Sequence, residues 1–307
     1  MLENSMEKAI MITFALVIFI AQTQAQKVEE QNVFCLNDRV DITPDDIILN
    51  FQEMGMNPVN HVLTPTEQEV IEMAFDALPP LHQKILKEHL YSISFLDNMP
   101  NTALASPVGE PDENKMFTIT FRSEILHQTI SEWATWKENS LYIPDSDYQV
   151  VVDAGDLNAL VYILLHEATH VLDAVLGIST QAIDADTLVI PSEFSRETWV
   201  SMNKPKEEFR KSILETTRFR GGGPIAMSLA AEVYQSLQET AFVSLYGMAS
   251  WHEDLAELAT IHHLTNILGQ PYHILVIKKG KEIFRFEPMK SHEVQQRVHH
   301  LDLFYRN

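Results

Sequence analysis

Residues 157–177 read LNALVYILLHEATHVLDAVLG, an apolar stretch that contains two histidines four positions apart. Side chains at i and i+4 lie on one face of an α-helix about one turn apart, so His166 and His170 can bind one small cation together. Glu167 lies beside this pair, where it can accept a proton from water instead of binding the cation. The aliphatic residues around the motif predict a buried helix, and Gly177 predicts its C-terminal end. The stretch therefore predicts a core helix that binds a metal ion, with Zn²⁺ as the expected ion.

The alternative for this motif is a chance arrangement of two core-facing histidines and a surface glutamate on an ordinary helix. The residues inside the motif, Ala168 and Thr169, are small and uncharged. The strongly apolar flanks would bury the polar groups of the motif, which is costly unless those groups have partners. We therefore favour the zinc site over coincidence.

A catalytic zinc needs three protein ligands and one open position, so a third ligand must come from elsewhere in the chain. Asp173 follows His170 by three residues, and its carboxylate is poorly aimed at the same ion. We expect it to be a hydrogen-bonding partner of a ligand histidine or to cap neighbouring backbone. The residues after Asp173 do not extend the motif to a third histidine.

The second acidic segment is 246–257, which reads YGMASWHEDLAE. Glu253 and Glu257 share one helix face at i and i+4, so either can supply a carboxylate ligand. Ser250 and Glu253 also fit a capping box, in which the glutamate only satisfies the start of the helix. Spacing alone leaves these possibilities open. Further histidines remain ligand candidates as well: His252, His262 and His263.

The two segments HEATHVLD (166–173) and YGMASWHEDLAE (246–257) together resemble the gluzincin peptidases of the anthrax lethal factor type, and are also similar to the Mlc titration factor-like peptidases. The resemblance covers roughly residues 157–177 and 241–260. It implies a zincin-like fold with Glu253 as third ligand, Tyr246 as a hydroxyl that assists the transition state, and Glu257 as a supporting partner. The implied zinc ligands are His166, His170 and Glu253.

The function that follows is an exported zinc-dependent metallopeptidase. It would hydrolyse the peptide bonds of a polypeptide substrate with zinc-activated water, and Glu167 would be the general base. The alternative is a catalytically inactive or latent zincin-fold protein of the cell envelope that binds zinc or a protein partner. The presence of Glu167 beside a complete ligand set favours the peptidase.

Composition restricts the partners of this chain of 307 residues. It has 22 basic and 43 acidic residues, and a formal net charge of −21. This balance disfavours general electrostatic binding to nucleic acid or to an anionic membrane. Cys35 is the one cysteine in the sequence, so an intrachain disulfide cannot form.

The N-terminal segment predicts export. Residues 10–21 form an apolar run after Lys8, and Ala25 is a small residue at the expected cleavage point of a signal peptide over 1–25. The run is short for a membrane span, so we expect no stable membrane anchor after cleavage. An uncleaved anchor is the weaker alternative. For an exported chain, the lack of a disulfide framework fits a bacterial periplasm, or secretion from it, better than a disulfide-rich extracellular location.

Composition does not change enough along the rest of the chain to mark another boundary. We therefore expect a loosely structured lead-in over 26–60 and one catalytic domain over 61–307. The expected class is α+β, mostly helical with a small sheet around the HExxH helix.

Local patterns predict the other elements of this domain. Helices are expected over 65–78, 81–89, 124–137, 224–246 and 250–268 and from Ser291, and strands over 91–96, 116–122, 148–153, 272–277 and 282–286. Residues 98–114 hold three prolines and one glycine and predict a loop. The polar stretch 179–220 predicts an insertion over the cleft. In zinc peptidases a strand at the sheet edge near the site pairs with extended substrate, and the strand over 116–122 is the upstream candidate.

Overall fold

A computed structural model describes residues 34–109, 115–181 and 189–306. The predicted signal peptide over 1–25 lies outside these residues. The chain divides into two compact units, Met1–Asp38 and Arg39–Asn307, and the elements that follow belong to the second unit. Its α-helices are α1 Asp45–Glu53, α2 Pro65–Asp76, α3 Pro80–His89, α4 Ile130–Asn139, α5 Ala159–Leu176, α6 Ala230–Gln238, α7 Trp251–His262 and α8 His292–Gln295.

The strands of the same unit are β1 Val59–Asn60, β2 Leu90–Asp97, β3 Ala103–Val108, β4 Met116–Arg122, β5 Tyr142–Ile143, β6 Tyr148–Asp153, β7 Trp199–Ser201, β8 Lys204–Pro205, β9 Ile225–Ala226, β10 His273–Lys278 and β11 Lys281–Phe286. The mixture of helices with small sheets confirms the predicted α+β class. Part of the predicted lead-in belongs to the same unit as the site, because α1 and β1 lie within it and β1 pairs with β2.

The largest sheet has the strand order β1-β2-β4-β3. Strands β2 and β4 run parallel, with Ile93 opposite Ile119, and β3 runs antiparallel to β4, with Ala105 opposite Ile119. A second sheet has the order β11-β10-β6, and its hairpin of β10 and β11 confirms the predicted one. In this order β3 is an edge strand, so one of its sides is free of strand partners within the sheet.

Helix α5 is the predicted HExxH helix, and its ends are those that its sequence favours. The side chain of Asn158 caps the first turn by accepting a 2.8 Å hydrogen bond from the Leu160 amide. Gly177 ends the helix in the left-handed conformation at φ 66°, which glycine adopts without strain. This helix is long and apolar enough to cross a membrane by length and composition, but most of it is buried in the core.

Helices α5 and α7 pack against each other, and α5 also contacts α2, α3, α4 and strand β3. Its aliphatic side chains are almost fully buried, as those of Leu164, Val171 and Leu172 illustrate. The prediction of a buried core helix is confirmed. Helix α7 continues into a π-helical turn over His263–Ile267, which agrees with the predicted helix over 250–268.

The predicted loop over 98–114 is wrong, because β3 occupies Ala103–Val108. Pro107 lies within this strand, opposite Phe117. A proline has no amide hydrogen to donate to a ladder, so the interior of a sheet excludes it but an edge strand tolerates it. Pro107, one of the prolines that suggested a loop, is therefore compatible with an edge strand. The expectation that 116–122 supplies the edge is also wrong, since β4 is paired on both sides.

The long helix predicted over 224–246 is wrong as well. Residues 225–229 form β9 and a 3-10 turn, and α6 ends at Gln238. The hydroxyl of Thr240 donates to Leu237 O at 2.7 Å and accepts from the Phe242 amide at 3.2 Å. A threonine side chain that bonds nearby backbone in this way competes with helix formation.

Two other predicted helices are shorter than expected. Residues Ser123–His127 form a 3-10 turn, and α4 begins only at Ile130 because Thr129 and Glu132 form a capping box there. At the C-terminal end, α8 spans four residues, and Val298–Tyr305 is a 3-10 helix. A sequence pattern of period near three fits both kinds of helix, so it does not separate them.

Candidate metal centre

The HExxH helix and α7 bring three ligand atoms together. His166 Nε2 lies 3.0 Å from Glu253 Oε2, His170 Nε2 lies 3.4 Å from that same oxygen, and the two Nε2 atoms are 3.1 Å apart. We call these three atoms the ligand triangle. The side chain of His166 is buried, and those of His170 and Glu253 are half-buried.

The donor set of the ligand triangle fits a metal ion. Zinc binds imidazole nitrogen and carboxylate oxygen at about 2.0–2.2 Å, which places tetrahedral ligand atoms about 3.3 Å apart. The observed separations of 3.0–3.4 Å are close to that value. The side chains of His170 and Glu253 are 23% and 21% exposed, so the triangle is accessible from one side. The three residues can therefore hold a metal ion.

The environment of His166 also favours a cation. Its Nδ1 lies 3.1 Å from Glu257 Oε1, which favours the tautomer with the proton on Nδ1 and leaves a lone pair on Nε2. That lone pair faces another imidazole and a carboxylate. Without a bound cation, burial lowers the pKa of His166, but the carboxylates of Glu253 and Glu257 outweigh burial and raise it to about 10. A proton then takes the place of the cation between these acceptors.

The structure separates the two roles that the sequence left open for Glu253. Ser250 caps α7, because its hydroxyl accepts a 3.3 Å hydrogen bond from the Glu253 amide. The carboxylate of Glu253 does not complete a capping box and turns to the two histidines instead. The negative charge is stabilised there, since burial raises the pKa of Glu253 but the histidines lower it well below its ordinary value.

Glu257 lies one turn further along α7 and outside the ligand triangle. It is buried and accepts hydrogen bonds from Tyr162 at 2.8 Å and from Ser244 at 2.6 Å. Burial raises its pKa, but Lys137, His166 and Ser244 lower it to about 2. The carboxylate of Glu257 therefore contacts His166 at Nδ1, on the side of the ring opposite the ligand triangle. Sequence reasoning missed Tyr162, although its position four residues before His166 places it on the same helix face.

Glu167 is next to the triangle and beside the edge strand. Its carboxylate lines a cavity together with Ala103 and Leu104 of β3, and the backbone of Ala105 is one of the groups that lower its pKa. Burial raises the pKa of Glu167, and this effect exceeds the lowering by the two histidines. The carboxylate does not belong to the ligand triangle, so it is available to exchange protons.

Tyr246 contacts the site from the 3-10 turn that precedes α7. Its ring stacks on the ring of His166, with centroids 5.7 Å apart and planes inclined by 22°. Burial, followed by the charges of Glu253 and Glu167, raises the pKa of the hydroxyl. The Tyr246 hydroxyl therefore remains protonated and is a hydrogen-bond donor.

Among the described residues, Asp173 makes no hydrogen bond to His166 or His170. Its carboxylate accepts from the Ser179 hydroxyl, accepts from the Ser179 amide at 2.6 Å, and lies 3.0 Å from His252 Nδ1. It thus connects the end of α5 to the start of α7 and supports the relative position of the two helices. Of the two roles expected for Asp173, the hydrogen bond from the Ser179 amide is the cap of neighbouring backbone.

The remaining histidine candidates lie elsewhere. His252 Nδ1 is shared by Asp173 and Ser179, at 2.7 Å from the hydroxyl of the latter. His263 Nε2 hydrogen-bonds to Ala77 O at 2.7 Å, and His262 faces Tyr305. None of the three is part of the ligand triangle.

Two cavities flank the triangle, and β3 contributes to both. The larger cavity, which we call the inner cavity, has a volume of about 420 Å³ and is lined by His166, Glu167, Tyr246 and aromatic side chains. The smaller one, of about 180 Å³, lies on the side of His170 and is lined by Ala105, Asp173 and His252. The described part of the 179–220 stretch reaches the inner cavity through Phe219, whereas its Trp199 is buried against α7.

Comparison with known proteins gives no family for this chain. No protein-family model, no curated protein and no solved structure matches it. The chain is therefore characterised by its α+β fold and by a His166-His170-Glu253 cluster that can hold a metal ion.

Proposed function

We propose that this chain is a zinc-dependent metallopeptidase with a zincin-like fold. The observation that carries the proposal is the ligand triangle of His166, His170 and Glu253, with Glu167 next to it at an edge strand. Two histidines and one carboxylate are a ligand set of catalytic zinc sites, which keep a fourth position open. When bound, the ion supplies Lewis-acid chemistry, because it acidifies water and polarises a carbonyl.

The residues of the chain supply the remaining steps. Glu167 accepts a proton from the attacking water and returns it to the amine that leaves. The protonated hydroxyl of Tyr246 donates a hydrogen bond to the oxyanion that develops on the scissile carbonyl. Glu257 fixes the orientation of the His166 ring through Nδ1.

The edge strand supports a polypeptide as the substrate. One side of β3 has no strand partner in its sheet, and the strand contributes to the walls of both cavities. An extended peptide that pairs with such an edge gains main-chain hydrogen bonds and presents its side chains to the cavities on either side. Ala103 and Leu104 of β3 line the inner cavity together with Glu167, which brings this edge next to the proposed general base.

The test combines zinc quantification with a proteomic cleavage screen on the wild type and on Glu167→Gln. We expect both proteins to bind one equivalent of zinc and only the wild type to generate new peptide termini. Loss of the general base should lower hydrolysis by about 10²- to 10⁴-fold. A wild type that binds no metal would refute the proposal, and one that binds zinc without cleaving any protein would favour the latent zinc-binding alternative. Export remains a prediction, because the segment that carries it lies outside the described residues.

A further inference from the structure

The inner cavity contains a lysine that has no role in the mechanism above. Lys137 lies in the last turn of α4, and its side chain is 18% exposed. Its Nζ lies 4.3 Å from the ring centroid of Tyr246, 5.2 Å from that of Trp133 and 5.9 Å from that of Tyr162. An ammonium over aromatic faces at these distances is attracted by their quadrupoles. The three rings therefore hold the cation in place at the cavity wall.

The hydrogen-bond donors of Lys137 are available. Its nearest carboxylate oxygen is Glu257 Oε1 at 3.5 Å, which is the distance of an ion pair and too long for a good hydrogen bond. The two oxygens of Glu257 already accept from Tyr162 and Ser244. An ammonium has three N–H donors, and within the described residues none of those of Lys137 makes a hydrogen bond. These donors can bind an acceptor that enters the cavity.

The other residues that line the inner cavity determine which ligand group the charge of Lys137 attracts. Lys137 is the one lysine or arginine among the described residues that line it, and most other walls are aromatic or aliphatic, such as Trp136, Ile163 and Phe219. Apolar walls exclude water, which strengthens the attraction between a buried cation and an anion. The carboxylates of Glu167 and Glu257 also line the cavity, and Glu257 already accepts hydrogen bonds from Tyr162 and Ser244. Lys137 is therefore the positively charged group with N–H donors that can orient an acceptor of a ligand in this cavity. The complement of an ammonium with free donors is a carboxylate.

The position of Lys137 relates this carboxylate to the reacting bond. Tyr246 contacts both Lys137 and His166, and Glu167 lines the same cavity. A substrate residue that enters the inner cavity is therefore adjacent to the bond at the ligand triangle. We propose that Lys137 binds a carboxylate of the substrate residue next to the cleaved bond, and thus selects peptides with an acidic side chain or a free C-terminal carboxylate there. This inference rests on the proposed peptidase function.

The experiment compares peptides that differ in one carboxylate. A glutamate is moved through each position of a neutral peptide and compared with glutamine at the same position, and the peptide acid is compared with its C-terminal amide. We expect the zinc-loaded wild type to prefer the carboxylate by roughly 10- to 100-fold in kcat/KM at one position, mainly through KM. The position of the effect distinguishes an acidic side chain from a C-terminal carboxylate.

Variants of Lys137 test whether this residue causes the preference. In Lys137→Met the ratio between the glutamate and glutamine peptides should fall to within about threefold of one, whereas Lys137→Arg should retain most of it. Lys84→Met is the matched control, because Lys84 is exposed on α3 and lines none of the cavities described above. The ratio is the measured quantity, so a general loss of activity does not alter the result.

Binding separates this inference from the peptidase proposal. Calorimetry with zinc-loaded Glu167→Gln measures the affinity for the same peptide pair without turnover. If no peptide is cleaved but the glutamate peptide binds more tightly and the preference disappears with Lys137→Met, the peptidase proposal fails and the carboxylate site stands. Equal cleavage and equal binding of both peptides by proteins with Lys137 intact would overturn the inference, even if Lys137→Met failed to fold. An unchanged ratio in a folded Lys137→Met would overturn it too.

Discussion

His166 Nδ1 lies 3.1 Å from Glu257 Oε1, on the opposite side of the imidazole from the Nε2 atom that faces Glu253 and His170. A carboxylate at this position holds the ring, fixes its tautomer and makes Nε2 a better ligand. Glu257 is itself held by Tyr162 and Ser244. Two glutamates one turn apart on α7 thus have different positions, Glu253 in the ligand triangle and Glu257 beside the Nδ1 atom of His166.

Metal affinity should distinguish the two glutamates. Glu257→Gln keeps the three ligand atoms but weakens the support of His166, so we expect zinc affinity to fall by about 10- to 100-fold. Glu253→Gln removes a ligand, and we expect a larger loss. Competition with a chromophoric chelator measures both variants against the wild type. A larger effect for Glu257→Gln than for Glu253→Gln would contradict the assignment of Glu253 as the ligand.

Tyr246→Phe should affect turnover and leave metal binding intact. The substitution keeps the ring that stacks on His166 and removes only the hydroxyl. Loss of one donor to a developing oxyanion lowers kcat by about 10²- to 10³-fold. Steady-state kinetics on a peptide that the wild type cleaves, together with zinc content, checks this expectation. An unchanged kcat would show that the hydroxyl does not contact the transition state.

Disruption of the buried ion pair between Asp254 and Arg297 should lower the free energy of unfolding of the unit Arg39–Asn307. Arg297 and Asp254 are 6% and 0% exposed, and their side chains are linked by hydrogen bonds of 3.0 and 2.5 Å. Arg297→Met leaves the carboxylate of Asp254 buried, with Trp199 as its remaining side-chain partner among the described residues. We expect a loss of about 3–5 kcal/mol in the free energy of unfolding, measured by urea denaturation.

The double variant Arg297→Met with Asp254→Asn is the control for this pair. It removes both charges, so it should be more stable than Arg297→Met alone, because the cost of an unpaired buried charge disappears. If both variants were equally unstable, the loss would come from packing and not from charge.

The stability of the fold should decrease in acid through Glu67. Burial raises the pKa of this carboxyl, but hydrogen bonds from the Thr64 amide and hydroxyl and from His61 lower it to about 2. A folded-state pKa below the unfolded value of 4.5 stabilises the protein above pH 4.5. That contribution, at most about 3 kcal/mol, is lost as the pH falls from about 5 to 2.

Unfolding free energies measured between pH 5 and pH 2 test this expectation. Glu67→Gln should give a shallower dependence on pH than the wild type. Glu132→Gln is the matched control, because Glu132 forms the same capping box with Thr129 but is exposed. The dependence should change less in that variant. Equal slopes for the wild type and Glu67→Gln would contradict the role of Glu67.

Local sequence predicted the elements whose residues determine their own conformation. The capping box of Thr64 and Glu67 begins α2, and Gly177 ends α5. Within α5 the apolar residues predict burial, and the i, i+4 spacing predicts that His166 and His170 face one point. These signals depend on neighbours within about one helical turn, so the sequence alone carries them.

One error concerns a segment that depends on a distant pairing partner, and the other a segment in which a side chain competes with helix formation. Strand β3 contains Pro107 and forms because β4 pairs with one of its sides. The helix predicted up to residue 246 ends at Gln238, where Thr240 bonds to nearby backbone. The local composition of these segments does not show which conformation they adopt, because interactions formed in the folded chain override the propensity of the residues.

For the site, the sequence by itself determined two ligand candidates, a candidate general base between them and a short list of carboxylates. Only the tertiary structure decided that Glu253 completes the triangle and that Glu257 supports His166, because the packing of α7 against α5 sets which helix face meets the histidines. Lys137 illustrates the same limit. No local pattern distinguishes it from other lysines, and its role follows from the rings that the fold places around it.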